Sequence, residues 1–191
     1  MAEALGEIGS ENAVGALCEV LKDRKPDVRK AAAEVLVKMG SLAVEELIAA
    51  IQDKEWVMRQ EAAWALGQIG GPIPVEALCN ALRDEDMRVS ETAAEALDRL
   101  GHLPDAASEA WYAVAKRDWE RVVRLGKLAV DPLCSALQAK NSDMRFAAAR
   151  ALGQIGDQRA IEQLRAILND EESYVSDAAR EALRIMGQPV A

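Results

Sequence analysis

Histidine is almost missing from this chain of 191 residues; His102 is the only one. A Ser-His-Asp triad would depend on it, in a turn before Pro104 and with no G-x-S-x-G to support it. Histidine-rich metal sites are excluded by the same count. There are three cysteines, Cys18, Cys79 and Cys134, and no CxxC. That excludes a disulfide framework and suits a reducing cytoplasm. The phosphate-cradling G-x-x-x-x-G-K-[ST] is absent, and no D-x-D-x-D-G marks a calcium loop. The longest apolar runs fall far short of the roughly 20 residues a membrane span requires. The N-terminus, MAEALGEIGSEN, is acidic and carries no basic stretch of a signal peptide. No catalytic, cofactor-binding or metal-ligating residue is therefore expected. The chain reads as non-enzymatic, cofactor-free and cytoplasmic, with no membrane partner.

Aromatics are only 4% of the residues and runs of β-branched residues are absent, while hydrophobic residues make up 50% and charged residues 29%. Ala and Leu dominate the apolar half. With Glu, Arg and Lys they are the good helix formers, so the expected class is all-α. The net charge is −9 and the sequence pI about 4.8. An acidic chain repels phosphate backbones, so nucleic acid is not an expected partner.

The element L-x-x-(I/L/M)-G recurs at Leu5–Gly9, Leu36–Gly40, Leu66–Gly70, Leu97–Gly101, Leu152–Gly156 and Leu183–Gly187. A weaker copy stands at Val122–Gly126. The period is 30 or 31 residues, with one degenerate unit. Each unit reads as two helices. First helices are predicted at 13–21, 43–51, 75–82, 129–137 and 160–168, with Ser10, Ser41 and Asp157 as N-caps. Second helices carry an apolar face at 3.6 periodicity, paired alanines such as Ala62–Ala63 and Ala148–Ala149, and a terminal glycine. No copy can bury its stripe alone, so copies must stack. The expected fold is a right-handed α-α superhelix of about five helix pairs, plus a half repeat at the N-terminus. The chain divides as one domain over 1–191: half repeat 1–9, repeats 10–40, 41–70 and 71–101, a degenerate unit 102–126, then repeats 127–156 and 157–187.

These residues resemble the HEAT repeat, in the short variety named after phycobilisome-lyase subunits. That pattern runs A-V-x-x-L-x-x-A-L-x-D, then V-R-x-x-A-A-x-A-L-G-x-I-G-D. It is matched best at 144–168 and 28–51. The resemblance covers nearly the whole chain and implies the α-solenoid. It also implies an Asp in the intra-repeat loop with an Arg six residues later, holding loop to helix. Asp23/Arg29 and Asp53/Arg59 match; Asp84 and Asp170 are followed by Ser90 and Ser176, and Arg145 has Ala139 before it. The expected ladder is incomplete. The single histidine is incompatible with the His-Glu di-iron centre of HEAT-type deoxyhypusine hydroxylases. The three cysteines share one repeat column in different units; neighbouring repeats stack about a helix diameter, roughly 10 Å, apart, beyond disulfide reach, and the cysteines read as small packing residues.

The degenerate unit reads as a helix from about Pro104 to Lys116 and a short one from Asp118 to Leu125. Trp111, Tyr112 and Trp119 either fill the space left by shortened helices or form a local specificity bump. Neither end of the chain shows a polar cap repeat. The expectation is either a piece of a longer array or ends that bury themselves in a second copy, giving a homodimer.

A binding face is expected on the concave wall, at second-helix positions the packing pattern does not dictate. These are Trp56, Val57, Gln60, Glu61 and Trp64; Met87, Arg88, Glu91 and Glu95; Phe146 and Arg150; Tyr174, Asp177 and Glu181; with Lys30 and Glu34 opening the row. Exposed Trp, Phe and Tyr there would be interface anchors; alternatively they fold onto neighbouring helices. Both signs of charge occur in the row, so the basic stripe of a DNA reader is missing. The expected function is a protein–protein interaction scaffold for a protein partner. A chromophore-lyase-type subunit and a nucleic-acid-binding HEAT protein are the alternatives.

Overall fold

A computed structural model describes residues 11–72 and 74–189. The half repeat 1–9 and the Ser10 cap lie outside the described residues. The architecture is all-α, a right-handed solenoid of paired helices. Among the described residues there are six pairs. The first three are α1 (Glu11–Val20) with α2 (Pro26–Met39), α3 (Val44–Ala50) with α4 (Trp56–Ile69), and α5 (Val75–Ala81) with α6 (Met87–Arg99). The next three are α7 (Glu109–Ala115) with α8 (Trp119–Leu125), α9 (Val130–Ala136) with α10 (Ser142–Ile155), and α11 (Ile161–Ala166) with α12 (Ser173–Ile185). The chain forms two compact units, one ending at Ser108 and the other beginning at Glu109.

Within each unit a first helix packs on its own second helix, and second helices pack on one another: α2 on α4 and α4 on α6, then α8 on α10 and α10 on α12. The repeated leucines drive this. Leu17, Leu47, Leu78, Leu133 and Leu164 from first helices are fully buried, as are Leu36, Leu66, Leu97, Leu152 and Leu183 from second helices. Each such side chain contributes about 1.5–3 kcal/mol of burial. The alanine pairs lie beside them, also buried.

Glycines inside helices leave no room for a side chain at two of these contacts. A Cβ added at Gly67 would stand 2.6 Å from Ala96 Cβ, and one at Gly153 would stand 2.8 Å from Ala182 Cα. The L-G-x-I-G segments are thus contact surfaces as well as helix ends. Gly156, where α10 stops, takes a left-handed conformation at φ 69°, which a side chain would strain.

Two local expectations are corrected. Ser41 caps no helix with its side chain; it lies inside a 3-10 turn, Gly40–Ala43, that leads directly into α3. Asp157 does cap, accepting the Arg159 N–H at 3.0 Å. The helix expected from Pro104 begins only at Glu109. The Asp105 carboxylate accepts the Ser108 N–H at 2.8 Å and closes a turn, which competes with helix for the same backbone. The same bond holds the Asp105 carboxyl below its ordinary range.

The Asp–Arg ladder also differs from the expected pattern. Arg59 does not meet the Asp53 carboxylate. Its Nη1 donates to the backbone carbonyls of Asp53 and Lys54, at 2.8 and 3.0 Å. Its Nε and Nη2 donate to Asp84, 25 residues later, at 2.6 and 2.8 Å. Arg145 repeats this with the carbonyls of Ala139 and Lys140 and the carboxylate of Asp170. The partner six residues back is a main-chain oxygen, so Ala139 serves as well as an aspartate. The carboxylate comes from the next repeat and fastens neighbouring repeats together. In that next repeat the Arg position is filled by Ser90 or Ser176, whose hydroxyls donate to Met87 and Ser173 carbonyls at 3.0 and 2.9 Å.

Candidate functional site

The second helices present a column of side chains spaced by roughly one turn, because residues i, i+4 and i+8 share a helix face. On α4 this column is Trp56, Gln60 and Trp64. All three are half-buried, so the tryptophans do not stand free in solvent. The guanidinium of Arg88, on α6, lies 3.2 Å from the Trp56 ring centroid. Asp86 also holds that guanidinium, accepting from Nε at 2.9 Å and from Nη2 at 2.6 Å. The carboxylate raises the Arg88 pKa. Gln60 Nε2 donates to Thr92 Oγ1 at 3.3 Å. Met87 and Glu91 are half-buried beside Arg88, which is exposed, and Val57 is half-buried on α4. Glu61 turns the other way and accepts Arg29 Nε, on α2, at 3.3 Å. Lys30, Glu34 and Glu95 are exposed.

The second unit has the same layout with different chemistry. Phe146 and Tyr174 meet edge to face, with centroids 5.5 Å apart. The Tyr174 hydroxyl donates to Asp143 at 3.3 Å. Arg150 lies 5.7 Å from the Phe146 centroid and is exposed. Asp177 and Glu181 pair within their own helix, with Arg180 and Arg184. Tyr174, at 37% exposure, is the open aromatic of the row among the described residues. Both aromatic pairs therefore span consecutive second helices, Trp56 with Arg88 and Phe146 with Tyr174.

A groove of about 530 Å³ runs between α8 and α10. Trp119 and Val123 form one wall, and Phe146, Ala147 and Ala151 the other. Arg124, Arg150, Glu120 and Gln154 rim it. Sequence reasoning placed Trp119 between a core role and a specificity bump; it is half-buried and lines this groove. Of its companions, Tyr112 is buried and Trp111 half-buried. Val123, Arg124 and Gln154 were missed as site residues, because a groove depends on which helix is short, and no local pattern states that.

The cysteines are inert on this geometry. Cys18 is buried and its thiol is pushed up to about 12 by burial. Burial pushes Cys134 up to about 11 and raises Cys79 as well. Among the described residues no group of three or more His, Cys, Asp or Glu is placed to hold a metal ion. No helix among them is long and apolar enough to cross a membrane.

Comparison with known proteins gives three overlapping matches to HEAT repeats, over residues 1–54, 44–128 and 125–184. No curated protein matches the chain. Among solved structures, human deoxyhypusine hydroxylase in complex with glycerol is similar at 22% identity and TM-score 0.44, over 97% of this chain and 88% of that one. The complex of CpcE and CpcF of phycocyanin lyase, from a Nostoc species, is similar at 22% identity and TM-score 0.47, over 91% and 99% of the two chains. An engineered protein is similar at 25% identity and TM-score 0.36, over 97% and 88%.

Proposed function

The chain belongs to the HEAT-repeat family, and from that premise we propose that it is a non-enzymatic scaffold binding a protein partner along its wall of second helices. The observation that carries this reading is the row of coupled aromatics. Trp56 under Arg88, and Phe146 against Tyr174, occupy positions that stacking of the leucines, alanines and glycines does not require. Rigid, half-buried aromatics with arginines beside them are what interface anchors are made of, because little side-chain freedom is lost when a partner covers them. Trp56, Gln60, Trp64, Met87, Arg88 and Glu91 would serve in the first unit, and Phe146, Arg150, Tyr174 and Asp177 in the second.

The finer assignment, to short repeats of the phycobilisome-lyase type, rests on the 30- or 31-residue period and the L-G-Q-I-G segments at 66–70 and 152–156. It carries no chromophore chemistry with it. A homodimer through terminal repeats is the lesser proposal. Asp177, Arg180, Glu181 and Arg184 on α12 are exposed and paired with one another, which makes a poor dimer core. Light scattering across a concentration series decides it, and a constant monomer mass would count against the dimer. The scaffold reading is tested by affinity capture with the wild type beside the double variant Trp56→Ala/Trp64→Ala. Recovery of the same partners in the same amounts would refute a role for these residues.

A further inference from the structure

We propose that the groove between α8 and α10 is a docking site for an acidic peptide segment that carries one large apolar anchor. The proposal rests on the scaffold reading and specifies the chemistry of one partner element.

The groove is a consequence of helix length. α8 has 7 residues and α10 has 14. At about 1.5 Å per residue, the shorter helix leaves roughly 10 Å of its neighbour uncovered. In the first unit the corresponding junction is bridged by an ion pair. There α2 also has 14 residues, and its Arg29 reaches Glu61 on α4. The residue that matches Glu61 on α10 is Ala147, and no arginine comes across to it. What remains is a trough with Trp119 on one side and Phe146 on the other, floored by small side chains. Its volume, about 530 Å³, is that of a ligand-sized site.

Charge selects the occupant. Two arginines, Arg124 and Arg150, rim the groove against one carboxylate, Glu120. Among the described residues the ion pair there is Arg124 with Glu120 at 4.0 Å, between side chains that are 68% and 87% exposed. Such a pair is worth little. Arg150 lies beside the Phe146 ring and forms no salt bridge among the described residues. In a chain of net charge −9 this is a local excess of positive charge over an apolar floor. A segment with an aromatic or branched side chain, flanked by Asp or Glu, satisfies both features. An open trough between two helices suits a peptide, which lies along it and reaches both arginines.

The test uses the full chain, labelled with nitrogen-15, and a short fluorescein-labelled peptide with one central tryptophan between glutamates. Two twins accompany it, one with lysines for the glutamates and one with alanine for the tryptophan. The acidic peptide is expected to bind and to shift the resonances of Trp119, Phe146 and Ala147, while both twins bind about tenfold more weakly or not at all. Arg150→Glu and Ala147→Glu should each weaken it about tenfold, and Glu45→Gln, at an exposed position of the first helix α3, should leave it unchanged. Melting by circular dichroism checks the variants. Should Arg150→Glu fail to fold, Ala147→Glu decides alone, since the matching position already carries a glutamate in the first unit. Equal binding of the lysine twin, shifts away from the groove, or wild-type affinity in a folded variant would each overturn the proposal. Indole-3-propionate binding as tightly as the peptide would overturn the choice of a peptide. If the acidic peptide fails while partner capture still depends on Trp56 and Trp64, this inference falls and the scaffold reading stands.

Discussion

The α4/α6 pair of the first unit and the α10/α12 pair of the second have the same interior. Gly67 against Ala96 is matched by Gly153 against Ala182. Arg59 on Asp84 is matched by Arg145 on Asp170, with side chains only 8% and 9% exposed in one pair and 9% and 7% in the other. Ser90 is matched by Ser176, both buried. The outer column shares nothing of this kind. Trp56 stacks under an arginine in one unit, and Phe146 meets a tyrosine in the other. The entry differs too: Arg29 bridges the junction ahead of α4, while a groove lies open ahead of α10. Positions that stacking dictates are the same in both units, and positions it leaves free have taken separate chemistries.

The most damaging break in this comparison should come from the buried ion pairs. Arg59→Met and Arg145→Met each strand a carboxylate beside a helix start, and each should lose about 3–5 kcal/mol in denaturant unfolding. Similar losses are expected; a difference of several kcal/mol would show that the two pairs are not equivalent. The acid limb sharpens the point. The Arg145 guanidinium, and the Glu172 N–H, hold the Asp170 carboxyl below its ordinary range despite burial. Its contribution is therefore complete above its unfolded pKa, near 4, and is lost as pH falls through the lower folded value. Asp170→Asn should flatten the fall in stability below about pH 4, read from melts across that range.

Next come the glycine contacts. Gly67→Val and Gly153→Val drive a side chain into the Ala96 and Ala182 backbones and should each lose about 1–3 kcal/mol. The matching residue of α2 is already Val37, half-buried, so this close approach is a property of the two pairs and not of every repeat. The smallest effects belong to the outer column. A double-mutant cycle on Trp56 and Arg88 should give a coupling of about 0.5–1 kcal/mol. One on Phe146 and Tyr174 should give about 0.5–1.5 kcal/mol. Couplings near zero would mean that these side chains share a surface without rigidifying it.

Much of this was legible along the chain. The leucine, alanine and glycine periodicity locates five of the six helix pairs among the described residues, because stacking repeats demand the same apolar stripe in each. The degenerate unit was legible as a break in period. Its first helix was read too long, since Pro104 resembles a helix start and the Asp105 turn that delays it is a matter of one side-chain bond. The row of second-helix residues followed from the same periodicity, but its state did not. Half-burial of Trp56 and Gln60 depends on what the neighbouring helix offers, here Arg88 and Thr92.

By itself the sequence determined the repeat and the helical class, because periodicity of burial is a local property of the chain. Tertiary structure decided which carboxylate each arginine takes, since the choice lies between a residue six positions back and one 25 positions on. It decided how closely second helices approach, through glycines whose missing side chains matter only against a facing alanine. It also decided where the groove opens, because a groove is the difference between the lengths of two helices that meet only in the folded chain.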